Sequence, residues 1–237
     1  MSPQMPPKPR TEYTLTDLVS LPRLNRGRRV ARRFLNWLVR LVVWLFADVR
    51  ITGLENIPAK GPLLVVSNHL GDADTFIGMA LSPVQVEIVA KIELHEIPLL
   101  GALMNAYGMI WIHRGQADRR AIRVIQDALA EGRMVALAPE GRESVTGELE
   151  EGTEGAAYLA IKANVPILPI TFTGTRNAEV YSNLKRLHRS RVSATIGPVF
   201  QLPRDDNWRQ SIKQGTQIIM KTLAGQLPNE YQGVYKV

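Results

Sequence analysis

A chain of 237 residues with 45% hydrophobic content can bury the core of one sizeable domain. It has no cysteine, which excludes disulfides and thiolate chemistry, and its four histidines, His69, His95, His113 and His188, lack metal-ligand spacing. The net charge of +7 resides in residues 1–50, where ten Lys and Arg face three Asp and Glu, while the rest carries nineteen of each. A neutral body argues against a nucleic-acid partner, whose binding needs cations across the working face.

Residues 1–27, rich in Pro and polar side chains, are expected to form a flexible N-terminus. The following segment, 28–48, has the pattern of an amphipathic helix. Arg29, Arg33, Asn36 and Arg40 recur along one face, while Trp37 and Trp44 sit elsewhere among Leu, Val and Phe. The apolar run 34–47 is shorter than the about 20 residues a bilayer span needs, and Arg40 interrupts it. A basic helix bearing Trp suits the interface of a membrane with anionic lipids; the other reading is a helix packed on the domain or on a second subunit. The run starts late and no small-residue cleavage site follows it, which argues against a signal peptide.

From residue 49 to 237 the pattern is that of one domain. Strand-like segments at 49–52, 63–67, 84–90, 109–113, 134–138, 166–173 and 191–196 alternate with helical segments at 74–81, 98–107, 117–131, 155–163 and 206–224. This alternation predicts an α/β fold, a single domain with a mixed, mostly parallel sheet flanked by helices. Ligands of such sheets bind beyond the carboxyl ends of the strands. His69 falls there, just after the apolar run at 63–66.

The stretch LLVVSNHLGDAD therefore carries two readings. An imidazole beside a carboxylate can act as a general base, worth about 100- to 10,000-fold in rate. Alternatively, Asp72 or Asp74 caps the next helix and His69 is an ordinary loop residue. Both can hold together, with Asp72 capping and Asp74 orienting the histidine. The chain has no GxSxG, GxxxxGK[ST] or GxGxxG, which removes support for serine hydrolases and nucleotide-binding enzymes.

Asn68-His69, four residues and then Asp74 resembles the NHx4D motif of the glycerolipid acyltransferases, typified by 1-acylglycerol-3-phosphate acyltransferase. Further motifs of that family follow in order. Ala90-Lys91-Ile92-Glu93-Leu94 with Pro98, Gly101 and Gly108 is similar to its second block, which closes on a G-x-I-x-I-x-R pattern ending at Arg114. Pro139-Glu140-Gly141 and Val165-Pro166-Ile167-Leu168-Pro169 complete the set, and the likeness covers residues 50–200. The resemblance implies that His69 deprotonates an acceptor hydroxyl and that Asp74 orients it. The hydroxyl then attacks the thioester of acyl-CoA or acyl-carrier protein directly, with no bound cofactor and no metal. By the same resemblance Asn68, Arg114, Glu140 and Gly141 shape the acceptor site and Pro166 the acyl-donor side, while Arg142, a departure from the family pattern, is expected to swing in as a substitute for the family's arginine. It implies a lipid acceptor, lysophosphatidate first, in phospholipid synthesis, on a peripheral or monotopic protein at the cytoplasmic face of the membrane.

The third motif departs from the family's EGTRS: Arg142 and Glu143 stand where Thr and Arg are usual. A carboxylate in place of the phosphate-holding arginine repels an anionic headgroup. Two further readings follow, an acyltransferase for a lipid without a free phosphate and a non-catalytic lipid-binding scaffold. The intact His69 and Asp74 favour an enzyme.

Overall fold

The computed structural model describes residues 18–113 and 118–236. Helix α1 (Arg26–Phe46) opens the fold and runs straight into strand β1 (Ala47–Thr52). There follow β2 (Leu63–Ser67), α2 (Asp72–Leu81), β3 (Val86–Lys91), α3 (Pro98–Tyr107) and β4 (Ile110–Ile112). After these come α4 (Arg119–Ala130), β5 (Met134–Leu137), α5 (Gly155–Ala163), β6 (Ile167–Thr173), α6 (Asn177–Lys185), β7 (Ser190–Ile196) and α7 (Trp208–Gln226).

The strands form one seven-stranded sheet in the order β1-β7-β6-β2-β5-β3-β4. Every neighbouring pair is parallel except β6 with β7. The sheet is thus mixed and mostly parallel, as the alternation predicts. Central strand β2 reads as unbroken apolar sequence because both its faces are covered. Leu64 and Val66 enter the larger core with Ala128, Leu159 and Ile219, while Leu63 and Val65 meet Met134, Leu168 and Ile196 on the other face. Each such fully buried aliphatic side chain contributes about 1.5–3 kcal/mol.

The expected flexible N-terminus, 1–27, is described only from residue 18, and there the chain lies against the body. Val19 is buried in the core, and Arg133 Nη1 donates to the Pro22 carbonyl at 2.9 Å. Helix α1 then starts at Arg26, with the Asn25 side chain accepting from the Arg28 N–H at 2.8 Å.

Helix α1 packs Leu35, Val39 and Val43 on the body but leaves a second apolar stripe uncovered. Its stripe Val30, Phe34, Trp37, Leu41 and Trp44 is exposed, Trp37 by 59% and Trp44 by 68%. Two of its arginines bond to the body of the protein. Arg32 is fully buried; its guanidinium binds Glu87 twice, at 2.9 and 2.6 Å, and donates to the Tyr107 and Gly108 carbonyls that end α3. Arg40 donates to the Ala80 and Ser82 carbonyls at the end of α2. Two helix C-termini, with their orphan carbonyls and negative dipole ends, thus take cations from α1. Of the four residues expected along one face, Arg29, Arg33 and Arg40 are exposed and Asn36 is half-buried, Arg40 bonding to the end of α2 from the surface. Among the described residues, no helix is long and apolar enough to cross a membrane.

Candidate active site

Strand β2 ends at Ser67, and the chain turns over Asn68-His69-Leu70-Gly71 into α2. Both amide atoms of Asn68 are consumed by β6, its Nδ2 donating to the Phe172 carbonyl at 2.9 Å and its Oδ1 accepting from the Phe172 N–H at 2.8 Å. Asn68 is therefore a tie between two strand ends and not an acceptor contact, which corrects its expected role.

His69 Nδ1 lies 3.1 Å from Asp74 Oδ2. The same oxygen accepts from the Leu70 N–H at 2.6 Å and the Gly71 N–H at 3.0 Å. A carboxylate can only accept, so Nδ1 carries the proton and Nε2 is left as the basic nitrogen. Asp74 thus caps the start of α2 and orients the imidazole at once. The expected division of labour, with Asp72 as the cap, does not hold. Asp72 is the first residue of α2, and its Oδ2 instead accepts from Tyr181 at 2.6 Å. Gly71 is required by space. Its backbone is extended, and a Cβ there would come within 2.4 Å of the Thr175 carbonyl.

The segment after β5 holds the backbone of His69 from both sides. Glu140 Oε1 accepts from the His69 N–H at 2.9 Å, and the Ser144 N–H donates to the His69 carbonyl at 2.7 Å. Gly141 makes the intervening turn at φ +73°, a left-handed conformation suited to glycine. Glu140 also accepts from the Glu150 N–H at 2.9 Å, and its burial pushes the carboxyl up to about 7. Its part is to fix His69, not to touch an acceptor.

Arg142 lies at the surface, held by a carboxylate. It is 63% exposed and pairs with Glu150 at 2.6 Å, and it does not line the cavity described below. Pro166 precedes β6, its carbonyl accepting from Leu64 at the start of β2, so it sits at the opposite end of the parallel strands from His69. The expected roles of Arg142 in acceptor binding and Pro166 on the donor side have no support in these positions. Arg114 lies outside the described residues.

Four further side chains surround the mouth. Glu143 accepts from Asn177 Nδ2 at 2.8 Å, and Asn177 Oδ1 in turn accepts from the Asp72 N–H at 3.0 Å. Burial, then the nearby Asp72 carboxylate, raise the pKa of Glu143. The hydrogen bond to Asp72, with burial, pushes the Tyr181 phenol up to about 12. Lys91 at the end of β3 completes the rim. Asn177 and Tyr181 belong to α6, a short helix with no buried residue and no side-chain cap to mark it in the sequence. It reaches the site because β6 and β7 are antiparallel, so the connection between them lies at the carboxyl ends of the parallel strands.

Behind His69 a cavity of about 540 Å³ enters the protein between the sheet and α2 and α3. Val65, Ala136, Leu168 and Ile170 form its floor, and Met79 and Met104 lie opposite. Its size falls in the range of about 300–1,000 Å³ typical of small-molecule sites, and its lining is mostly apolar. The arrangement combines an oriented base with an apolar recess at one opening.

Known proteins are similar to this chain in sequence and fold. The 1-acyl-sn-glycerol-3-phosphate acyltransferase of Borreliella burgdorferi is 29% identical over 146 residues, 59% of this chain and 57% of that protein. The enzyme of the same name from Limnanthes alba is 34% identical over 145 residues, 58% of this chain and 50% of that protein. The chain thus spans little more than half the length of these curated relatives. In fold it is similar to the crystal structure of the 1-acyl-sn-glycerophosphate (LPA) acyltransferase PlsC from Thermotoga maritima. The TM-score is 0.64 and the identity 22%, over 86% of this chain and 84% of that one. The sequence model of the family described as Acyltransferase matches residues 48–173, from the start of β1 to the end of β6. That is more than half of the molecule, and the chain belongs to the acyltransferase family.

Proposed function

We propose that this protein transfers a fatty acyl group from acyl-CoA or acyl-carrier protein to the hydroxyl of a glycerolipid at a membrane surface. The observation that carries this reading is the His69–Asp74 pair standing at the opening of an apolar cavity. In the reaction, His69 Nε2 takes the proton of the acceptor hydroxyl while Asp74 stabilises the imidazolium. The freed oxygen attacks the thioester carbonyl, the C–S bond breaks, and the departing thiolate takes the proton back. The fatty chain occupies the cavity. The exposed stripe of α1, with two Trp among aliphatic residues and Arg26, Arg29 and Arg33 exposed, supports docking at an anionic interface.

The names of the relatives support lysophosphatidate as acceptor. One observation favours a second reading, an acceptor without a free phosphate. Glu143 and Asp72 stand at the mouth, Arg142 is held by Glu150, and Lys91 is the cation among the described lining residues. Two carboxylates repel a phosphomonoester and favour a neutral or amine-bearing headgroup.

Purified protein on liposomes with palmitoyl-CoA or palmitoyl-carrier protein and a panel of lysophosphatidate, capped lysophospholipids, monoacylglycerol and an amino-lipid decides between them, read by mass spectrometry. Acylated lysophosphatidate supports the first reading, and transfer confined to another acceptor supports the second. No transfer that depends on His69 from either donor to any acceptor overturns both.

A further inference from the structure

The end of α6 and the residues that follow it form a surface that the site does not use. Leu184 and Leu187, three residues apart, are exposed, Leu187 by 82%. Lys185, Arg186, His188, Arg189 and Arg191 surround them, and the chain has no Asp or Glu from residue 180 to 204. No residue of α6 is buried, and Leu184 and Leu187 belong to none of the hydrophobic clusters of the fold.

Leu187 is anomalous on two counts. Helix α6 closes with the Leu187 N–H on the Leu184 carbonyl at 3.0 Å and the His188 N–H on the Asn183 carbonyl at 2.9 Å. That closure holds Leu187 at φ +55°, a left-handed conformation where glycine is at home and a leucine is strained. Water likewise favours glycine over a leucine held out to it. Neither the fold nor solubility accounts for this side chain, whereas burial against something outside the chain does.

The position of the loop indicates what covers it. Arg189 donates through Nε and Nη2 to the carbonyl of Ala47, the residue at which α1 gives way to β1. The loop is thereby tied through Arg189 to the junction that follows the exposed α1 stripe, whose last residues are Trp44, Leu45 and Phe46. An apolar tip ringed by cations matches a bilayer of anionic phospholipid, whose headgroups take the cations while the acyl boundary takes Leu184 and Leu187.

We propose that α6 with residues 184–191 is a second docking point for an anionic membrane. It acts together with α1 and holds the mouth, whose rim α6 supplies through Asn177 and Tyr181, against the headgroups. This extends the membrane reading of α1 to an element that no membrane pattern in the sequence marks.

Sedimentation of the full chain with sucrose-loaded vesicles tests this, using phosphatidylcholine alone and phosphatidylcholine mixed with phosphatidylglycerol. Each cation near a charged surface is worth about fivefold in partitioning. The double variant Lys185→Glu/Arg186→Glu should therefore lose more than tenfold on the anionic vesicles and little on the neutral ones. Leu187→Gly should lose severalfold on the anionic vesicles while its unfolding temperature stays unchanged or rises, which separates lost docking from lost folding. Variants that partition like the wild type overturn the proposal. So does a charge-variant defect that is equal on both vesicle types, or self-association through this surface without lipid. Binding requires no turnover, so the result is independent of whether the acyl-transfer reading stands.

Discussion

Asp74 Oδ2 accepts from three groups at once, His69 Nδ1 and the N–H groups of Leu70 and Gly71, while its buried Oδ1 has no partner. One atom therefore shapes the turn and sets the tautomer of the base. In Asp74→Asn the remaining oxygen can still accept from the turn, but the charge that stabilises the imidazolium is gone. We expect this variant to stay folded by circular dichroism and to lose about 100- to 10,000-fold in kcat with a smaller change in KM. Glu140 makes a different prediction. Its folded pKa is raised to about 7, above the unfolded value, so its contribution to stability is present below the ordinary carboxylate range and is lost as pH rises toward 7. Unfolding midpoints measured from pH 4 to 8 should show this decline in the wild type, and Glu140→Gln should flatten it. His69 and Asp74 were legible in the sequence because their bond closes over five residues, a spacing a turn fixes locally. Glu143 was legible as a departure from the family motif, but Asn177 and Tyr181 were not, because contacts spanning 34 and 109 residues depend on where the sheet places α6. Asn68 was misread for a similar reason, its partner being Phe172 on another strand.

At the scale of elements, α1 was legible as an amphipathic helix, but periodicity cannot say which face meets the protein. The answer lies in α2 and α3, whose terminal carbonyls take Arg40 at the surface and Arg32 in the interior and so fix which side of α1 meets the body. The Arg32–Glu87 pair is fully enclosed, and removing one partner leaves a buried charge. Arg32→Met should cost about 3–5 kcal/mol in urea unfolding, toward the lower end because Arg133 still reaches Glu87 at 3.3 Å. Adding Glu87→Leu should recover most of that loss, and a double variant as unstable as the single one would contradict this account. Helix α6 escaped the sequence reading because it buries nothing and carries no side-chain cap, so neither signal that marks a helix was present.

For the whole molecule, the alternating pattern was enough to anticipate a mostly parallel sheet with His69 beyond its carboxyl edge. The one antiparallel junction, β6 to β7, was not legible, since both strands have the same apolar content in either direction. That junction brings α6 to the mouth. The sheet also floors the cavity behind His69, and a larger side chain there should shorten the space for a fatty chain. Ala136→Phe, on the cavity floor, should shift the preferred donor toward shorter acyl chains in a competition among acyl-CoAs, with the fold retained. An unchanged chain-length profile would place the fatty chain elsewhere. The central claim is that His69 is the base for acyl transfer to a lipid hydroxyl. Its most direct test is the rate of lipid acylation on liposomes by the wild type and by His69→Ala, with folding of both verified by circular dichroism. The account predicts acylated product from the wild type and a loss of about 100- to 10,000-fold in the variant; equal rates would contradict it.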